Sequence, residues 1–405
     1  MDSKNVIAAI ALSSAVIVLY SLFFMPEQSA TNKNLVEKNK IEQSSDTPII
    51  DQKEPVLQIS REEALKQNER IQFENQSIIG SISLKGAAID DLTFKNYNTA
   101  LESDEKVTLL GPRNIENGYL IESGFVTSDK NINIPNADSI WSIVGNKKLT
   151  NQSPVKLTWS NDQGITFEKE ISLDDKYLFT IKQSVINSTN KKYDFYSYGQ
   201  IIRNKIPEIS NFYILHEGLI ATLDGELIEE DYDDIQEKKF SKVAKKGWIG
   251  IGDKYWITSL ILPQEREFKT TFDYKKKFRA NFIATEPLEL NEKSKISEKL
   301  QVIVAAKRVD VIDGYAESQM IEKFDLVIDW GFLYFITKPL FFGIDYFFKL
   351  LGNYGLAIIA ITICIRLAFF PLANFSFRSM AKMKALQPEM VRLKELHKND
   401  KMKLQ

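Results

Sequence analysis

One cysteine and two histidines among 405 residues leave little material for metal or redox chemistry. Cys364 has no second cysteine to pair with, so no disulfide braces the chain, whatever the redox state of its compartment. His216 and His397 are too few for a dedicated zinc site, and neither an H-E-x-x-H motif nor a Cys/His cluster occurs. A Ser-His-acid triad would have to recruit His397, in a basic segment, or His216, which in N-F-Y-I-L-H-E-G reads as a satisfied domain histidine. Residues 247–253, G-W-I-G-I-G-D, lack the third glycine and the basic residue of a phosphate loop. They read as a β-turn or bulge among strand residues. A large charge excess is also missing: the net charge of −2 gives no whole-protein signal for nucleic acid. Nothing in the sequence calls for a cofactor or a metal.

Long apolar runs are present, and there are two. Residues 356–372, L-A-I-I-A-I-T-I-C-I-R-L-A-F-F-P-L, contain one charge, Arg366. A guanidinium does not lose its proton, and placing it near a bilayer centre costs at least ~2.5–3.5 kcal/mol on insertion scales. Two readings of Arg366 stand. It lies roughly six residues from the basic end of the run, about 9 Å along a helix, so its side chain can snorkel to the headgroups. Alternatively it lines a polar groove. Thr362, four residues earlier, shares its helical face and makes that face polar, although a threonine can equally bond its own backbone. From Arg378 onward eight Lys/Arg stand against three Asp/Glu, which marks the cytoplasmic side of the span. The other run, residues 6–25, follows Lys4 and is long enough to span a bilayer. It exceeds the apolar region of a cleavable signal and has no clean small-x-small site after it, so an uncleaved signal anchor over 1–25 is expected.

With 44% hydrophobic residues, the chain can hold one large soluble domain besides such spans. Residues 26–55 are rich in Asn, Gln, Lys, Glu and Ser and read as a flexible linker. From 56 to 311 the pattern is short runs of period two, at 78–84, 165–173, 177–185 and 256–262. Turn pairs such as Lys85-Gly86, Asp174-Asp175 and Asp224-Gly225 punctuate them. This predicts a large antiparallel β-sandwich. A short helix is expected over 315–327. Residues 329–352 crowd nine aromatic side chains with Lys338, Asp345 and Lys349, a mix that suits an amphipathic helix lying in a membrane interface, with Pro339 kinking or restarting it. Beyond Pro371, expected as a helix kink, Met383, Leu386, Met390, Leu393 and His397 recur at 3-4-3-4 spacing, a seam that wants a partner helix. Methionine at two of these positions also suits an adaptable binding surface.

Three of these segments carry a resemblance. D-W-G-F-L-Y-F-I-T-K-P-L (329–340), G-N-Y-G-L-A-I-I-A-I-T-I-C-I-R (352–366) and S-M-A-K-M-K-A-L-Q-P (379–388) closely resemble the YidC membrane protein insertases of Gram-negative bacteria. K-G-W-I-G-I-G-D-K-Y-W-I-T-S-L-I-L-P (246–263) resembles its counterpart in the same family. The resemblance implies an order of parts: signal anchor, linker, a periplasmic β-domain similar to the galactose-mutarotase supersandwich, connecting and interfacial helices over 312–352, a second span over 353–373, and a basic cytoplasmic helix over 374–405 forming the first half of a hairpin. It implies that Arg366 is the positive charge of a hydrophilic groove where incoming transmembrane segments pause, with Thr362 facing the same groove. The implied partners are nascent membrane proteins, the Sec translocon, a ribosome or the signal recognition particle receptor on the cytoplasmic side, and membrane lipids, with no direct nucleic-acid contact. The family has five spans after its periplasmic domain and this chain has one, so a fragment or truncated reading frame is expected. Competing readings are a membrane-anchored periplasmic carbohydrate-binding or carbohydrate-active protein and a scaffold for a translocation complex. Fold alone does not carry activity.

Overall fold

A computed structural model of the chain describes residues 59–207, 216–263, 266–331 and 333–396. The expected signal anchor and linker lie outside the described residues. The described chain divides into two units, the first ending at Ile328 and the second beginning at Asp329.

The first unit is a two-sheet sandwich. Its larger sheet has eleven strands. From one edge these run Phe240–Ala244, Phe268–Tyr274, Phe278–Ala284, Tyr193–Arg203, Tyr119–Val126, Ile89–Asn98, Ile78–Ser83, Arg70–Glu74 and Lys148–Leu149. Leu288–Leu290 and Lys106–Leu110 attach off this path. The nine-stranded sheet runs Glu226–Asp231, Gly218–Leu223, Gly247–Gly252, Trp256–Ile261, Lys295–Ala306, Leu178–Asn187, Ile165–Leu173, Val155–Ser160 and Ser142–Val144. Pairing is antiparallel except where Gln72 and Phe73 meet Lys148 and Leu149. The period-two runs become strands because alternate side chains reach one core: Ile165, Phe167, Ile171 and Leu173 point inward while Thr166, Glu168 and Ser172 do not. Aromatic rings join the layers, with Phe73 edge-on to Phe179 at 5.2 Å and Phe94 stacked on Trp256 at 4.6 Å.

Turn chemistry follows the sequence at Asp224-Gly225, where both residues adopt positive φ (51° and 82°) and close a two-residue hairpin. Residues 247–253 are a correction. Gly247–Gly252 is neither a turn nor a bulge but a fully buried interior strand, paired on both sides. Its glycines are there for close approach: a Cβ on Gly250 would stand 2.6 Å from the Thr258 carbonyl oxygen. The helix expected over 315–327 is also displaced. It spans Val309–Ser318, and a short 3-10 turn, Phe324–Val327, follows after Met320 and Lys323 take left-handed backbone. Burial of Val311, Ile312 and Tyr315 set this boundary, and the Tyr315 hydroxyl anchors it by donating to Asp174 Oδ2 and accepting from Tyr177 N–H, each at 2.8 Å.

The second unit contains two helices, Tyr334–Leu351 and Tyr354–Leu396. The first holds Pro339 in its interior, ends on Gly352 in left-handed conformation (φ 68°), and returns the Gly352 N–H to the Phe348 carbonyl at 2.8 Å. Asn353 caps the second by accepting the Leu356 N–H at 3.2 Å.

Candidate functional site

The long helix, Tyr354–Leu396, carries most of the residues singled out above. Its stretch Tyr354–Arg392 is apolar enough and long enough to cross a membrane. One face packs on the aromatic helix. Ala357 is fully buried, Ala360 and Ile361 are half-buried, and a Cβ on Gly343 would stand 2.8 Å from Ile361 Cδ1. At the joint, Phe348 stacks on Tyr354 with centroids 3.9 Å apart. Arg366 lies nine residues beyond Ala357, about two and a half turns, and so on the opposite side of the helix. Thr362 shares that side at i, i+4. Both are exposed.

The two side chains are placed together but differ in their bonding. The Thr362 hydroxyl donates to the Ile358 carbonyl at 2.6 Å, so its proton is used by its own helix. Its oxygen lone pairs stay open. Among the described residues nothing hydrogen-bonds or ion-pairs with Arg366. Pro371 and Pro388 both fall inside the helix, each removing one backbone donor. Met383, Leu386 and Met390 are all more than half exposed. Leu393 lies within the helix, its side chain outside the described residues, as is His397.

The aromatic helix keeps its own charges engaged. Lys349 pairs with Asp345 at 2.6 Å, and Lys338 sits 5.7 Å from the Trp330 ring centroid. Tyr334, Phe335, Phe341, Phe342 and Tyr346 are exposed.

The β-domain has its own groove, of about 720 Å3, lined among others by Tyr119, Arg203, Glu217, Asp253, Tyr255 and Trp256. Its charges are spent on one another. Arg203 donates to Asp253 at 2.5 Å and to the Tyr232 hydroxyl at 3.2 Å, and its guanidinium lies 4.6 Å from the Tyr119 ring. Burial opposes the Arg203 charge, yet Asp253 and the two tyrosines hold its pKa above the ordinary value. Glu217 accepts the Lys254 backbone N–H at 2.8 Å. His216 stands against Asp231 Oδ1 at 3.2 Å and the Leu219 carbonyl at 3.3 Å, both acceptors. Among the described residues no group of three or more His, Cys, Asp or Glu is placed to hold a metal.

Sequence reasoning missed two things. The buried ion pairs carry no local motif: Arg279–Asp273, at 2.7 Å, joins paired strands through register, and Arg203–Asp253 links the end of a strand in one sheet to the residue after a strand of the other. Lys169, buried between the sheets, had a signal: the alternation of I-T-F-E-K-E-I-S-L puts it in phase with Phe167 and Ile171.

A large antiparallel sandwich followed by an aromatic helix and a long helix whose apolar run carries a single arginine defines a class: a protein with a large β-domain and a helical segment apolar enough to cross a membrane. Family comparison narrows it. The sequence model of the YidC periplasmic domain matches residues 70–342, and that of the 60Kd inner membrane protein family matches 346–405. The chain is 69% identical over 405 residues to the membrane protein insertase YidC of Pelagibacter ubique, covering 100% of this chain and 73% of that one. It is 38% identical over 409 residues to the YidC of Rickettsia prowazekii, covering 99% and 72%. The chain belongs to the YidC membrane protein insertase family. Among solved structures, a galactose mutarotase related enzyme from Lactobacillus acidophilus is similar at 12% identity and a TM-score of 0.43, over 58% of this chain and 97% of that one. A likeness that distant says nothing of chemistry.

Proposed function

We propose that this insertase works through the Arg366 face of its long helix, without covalent chemistry and without a bound energy source. The observation that carries the reading is the pairing of an exposed, partnerless guanidinium with an open threonine oxygen, on the side of an apolar helix turned away from its neighbouring helix. A cation in hydrocarbon is costly and is retained where it has a task. Here the task is to hold water and attract the hydrophilic flank of an incoming transmembrane segment, lowering the cost of drawing that flank part-way across. The clients are nascent membrane proteins, delivered alone or with the Sec translocon, with a ribosome or the signal recognition particle receptor on the cytoplasmic side.

In this reading the protein is a multi-pass protein of the bacterial inner membrane. Residues 1–25 anchor it, the β-domain lies in the periplasm without sugar turnover, the aromatic helix lies in the interface, and 353–373 crosses back. The helix beyond Pro371 is cytoplasmic, its Met383, Leu386, Met390 and Leu393 seam packing on a second hairpin helix. Arg378, Lys382 and Lys384 support that orientation.

The test is charge against size. In cells that depend on this protein for insertion, Arg366→Lys keeps most insertion of clients with charged translocated tails, and Arg366→Ala loses it. Normal insertion by Arg366→Ala would make the residue a snorkelling arginine and nothing more. Orientation has its own check: a cysteine at Ser160 is labelled by an impermeant thiol reagent in spheroplasts, and one at Lys384 is not.

A further inference from the structure

Lys169 occupies a position where a hydrophobic residue is expected. It is 3% exposed, opposite Leu157 on one flanking strand and Gln183 on the other. Its Nζ donates to the Ser123 carbonyl of the facing sheet at 2.7 Å and lies 5.2 Å from the centroid of the Trp141 ring. Among the described residues no carboxylate pairs with it: Glu122, nearby, is engaged by Arg113 and by Gln200. Burial pushes the Lys169 pKa down from 10.5 to about 7, so the neutral, nucleophilic amine is well populated near neutral pH.

Beside the amine is a cavity of about 20 Å3, lined by Trp141, Gln183 and Tyr198, with Pro135, Asn136 and Ala137 of a surface loop along one wall. That size admits a water-sized or triatomic molecule and excludes a sugar, a nucleotide or a peptide side chain. Two of the lining residues hold a buried polar atom with no hydrogen-bond partner, Trp141 Nε1 and Gln183 Oε1. The other end of the Gln183 amide makes only a long contact, Nε2 to the Gly124 carbonyl at 3.3 Å.

We propose that Lys169 is a carbamylation site, at which its amine adds carbon dioxide and the cavity holds the product through the Trp141 indole N–H and the Gln183 amide. The nitrogen lone pair forms the new N–C bond, one C=O π bond opens onto oxygen, and one amine proton leaves to solvent. The product is a carbamate anion, and no oxidant or reductant is needed. The N–H that remains keeps the bond to the Ser123 carbonyl. Carbon dioxide suits the site on three counts: it is small, it is uncharged and so crosses apolar walls, and its product supplies the acceptor that the Trp141 N–H lacks. A partial rotation of the Gln183 amide swings its NH2 group away from the long Gly124 contact and towards the second oxygen. The reaction turns a buried amine into a buried anion, so the charge between the two sheets would follow dissolved carbon dioxide.

The experiment uses the full chain in detergent micelles, equilibrated with 13C-labelled bicarbonate at mildly alkaline pH. Carbamates are then trapped by O-alkylation and mapped by mass spectrometry, with 13C NMR in parallel. Expected is a saturable adduct on the peptide containing Lys169, absent from Lys169→Met. In Trp141→Phe the carbon dioxide concentration needed for half-saturation rises roughly tenfold, the loss of about one hydrogen bond. Label confined to the N-terminal amine and surface lysines at saturating bicarbonate would overturn the proposal and leave the cavity to a water. Because the wild-type protein alone gives that result, a Lys169→Met chain that fails to fold does not remove the test.

Discussion

The two units of this chain treat charge in opposite ways. In the β-domain, buried charged groups are matched: Arg203 meets Asp253, Arg279 meets Asp273, Arg70 meets Asp90 and Arg113 meets Glu122. In the helical unit the charge at Arg366 is matched by nothing described, and large apolar side chains such as Phe369, Phe370, Met383 and Leu386 are exposed around and beyond it. The first unit buries its apolar side chains in one core and pairs most of its buried charges within itself, as a domain folding in water must. The second leaves large apolar side chains and Arg366 exposed, which on the proposed reading lipid and a wet groove would cover. The β-domain is therefore the place to measure stability, and the long helix the place to test the proposed insertion role.

Breaking a matched charge should separate the units most clearly. Arg203→Met leaves Asp253 buried without its partner and should destabilise the β-domain by about 3–5 kcal/mol in denaturant unfolding. Arg366→Met should leave the same β-domain transition unmoved. Equal effects from the two changes would erase the contrast.

The exception inside the β-domain sharpens it. Lys169 is a buried cation without a carboxylate, and its folded-state pKa of about 7 lies below its ordinary 10.5. For a base lowered in this way, the penalty is absent above the unfolded pKa, grows as pH falls towards the folded pKa, and levels off below it. In bicarbonate-free buffer the wild-type domain should lose about 2 kcal/mol relative to Lys169→Met between about pH 9 and about pH 7. Parallel stability curves for the two proteins over that window would show that Lys169 is not desolvated as described.

A smaller effect is expected at the end of the domain. Tyr315→Phe removes the hydroxyl that bonds both Asp174 and the Tyr177 N–H, and should cost about 1–2 kcal/mol. Hydrogen exchange at Tyr177 should quicken by more than at Val185 in the middle of the same sheet. No change at Tyr177 would mean that the Val309–Ser318 helix is held by Val311 and Ile312 alone.

What could be read from the sequence follows the same division. Period-two alternation revealed the strand at 165–173, because only one of its faces is buried and the pattern records it, while the strands near 78, 178 and 256 were found from the same β-branched and aromatic runs although both of their faces are largely buried. Glycines misled at 247–253, since the demand for a missing Cβ came from Thr222 and Thr258 on neighbouring strands, which no local pattern carries. The Tyr315 helix boundary failed for a similar reason, being fixed by a hairpin some 140 residues earlier. In the helical unit, composition and spacing placed Thr362 and Arg366 on one face correctly, since a helix face depends only on neighbours three and four apart. The local bond from Thr362 to Ile358 was one of two options the sequence left open.

On the proposed reading, the Thr362–Arg366 side of the long helix is wet while the protein sits in its membrane. One chain keeps Cys364, on the far side of the helix from Arg366, as its single cysteine, and a second carries Cys364→Ala with a cysteine at Thr362; a hydrophilic thiol reagent applied to native membrane vesicles open to the cytoplasmic face tests it directly. Labelling is expected to be rapid at 362 and slow at 364, with the rate at 362 falling when Arg366 is replaced by leucine. Equal, slow labelling at both positions, indifferent to Arg366, would contradict it and place that side of the helix in lipid.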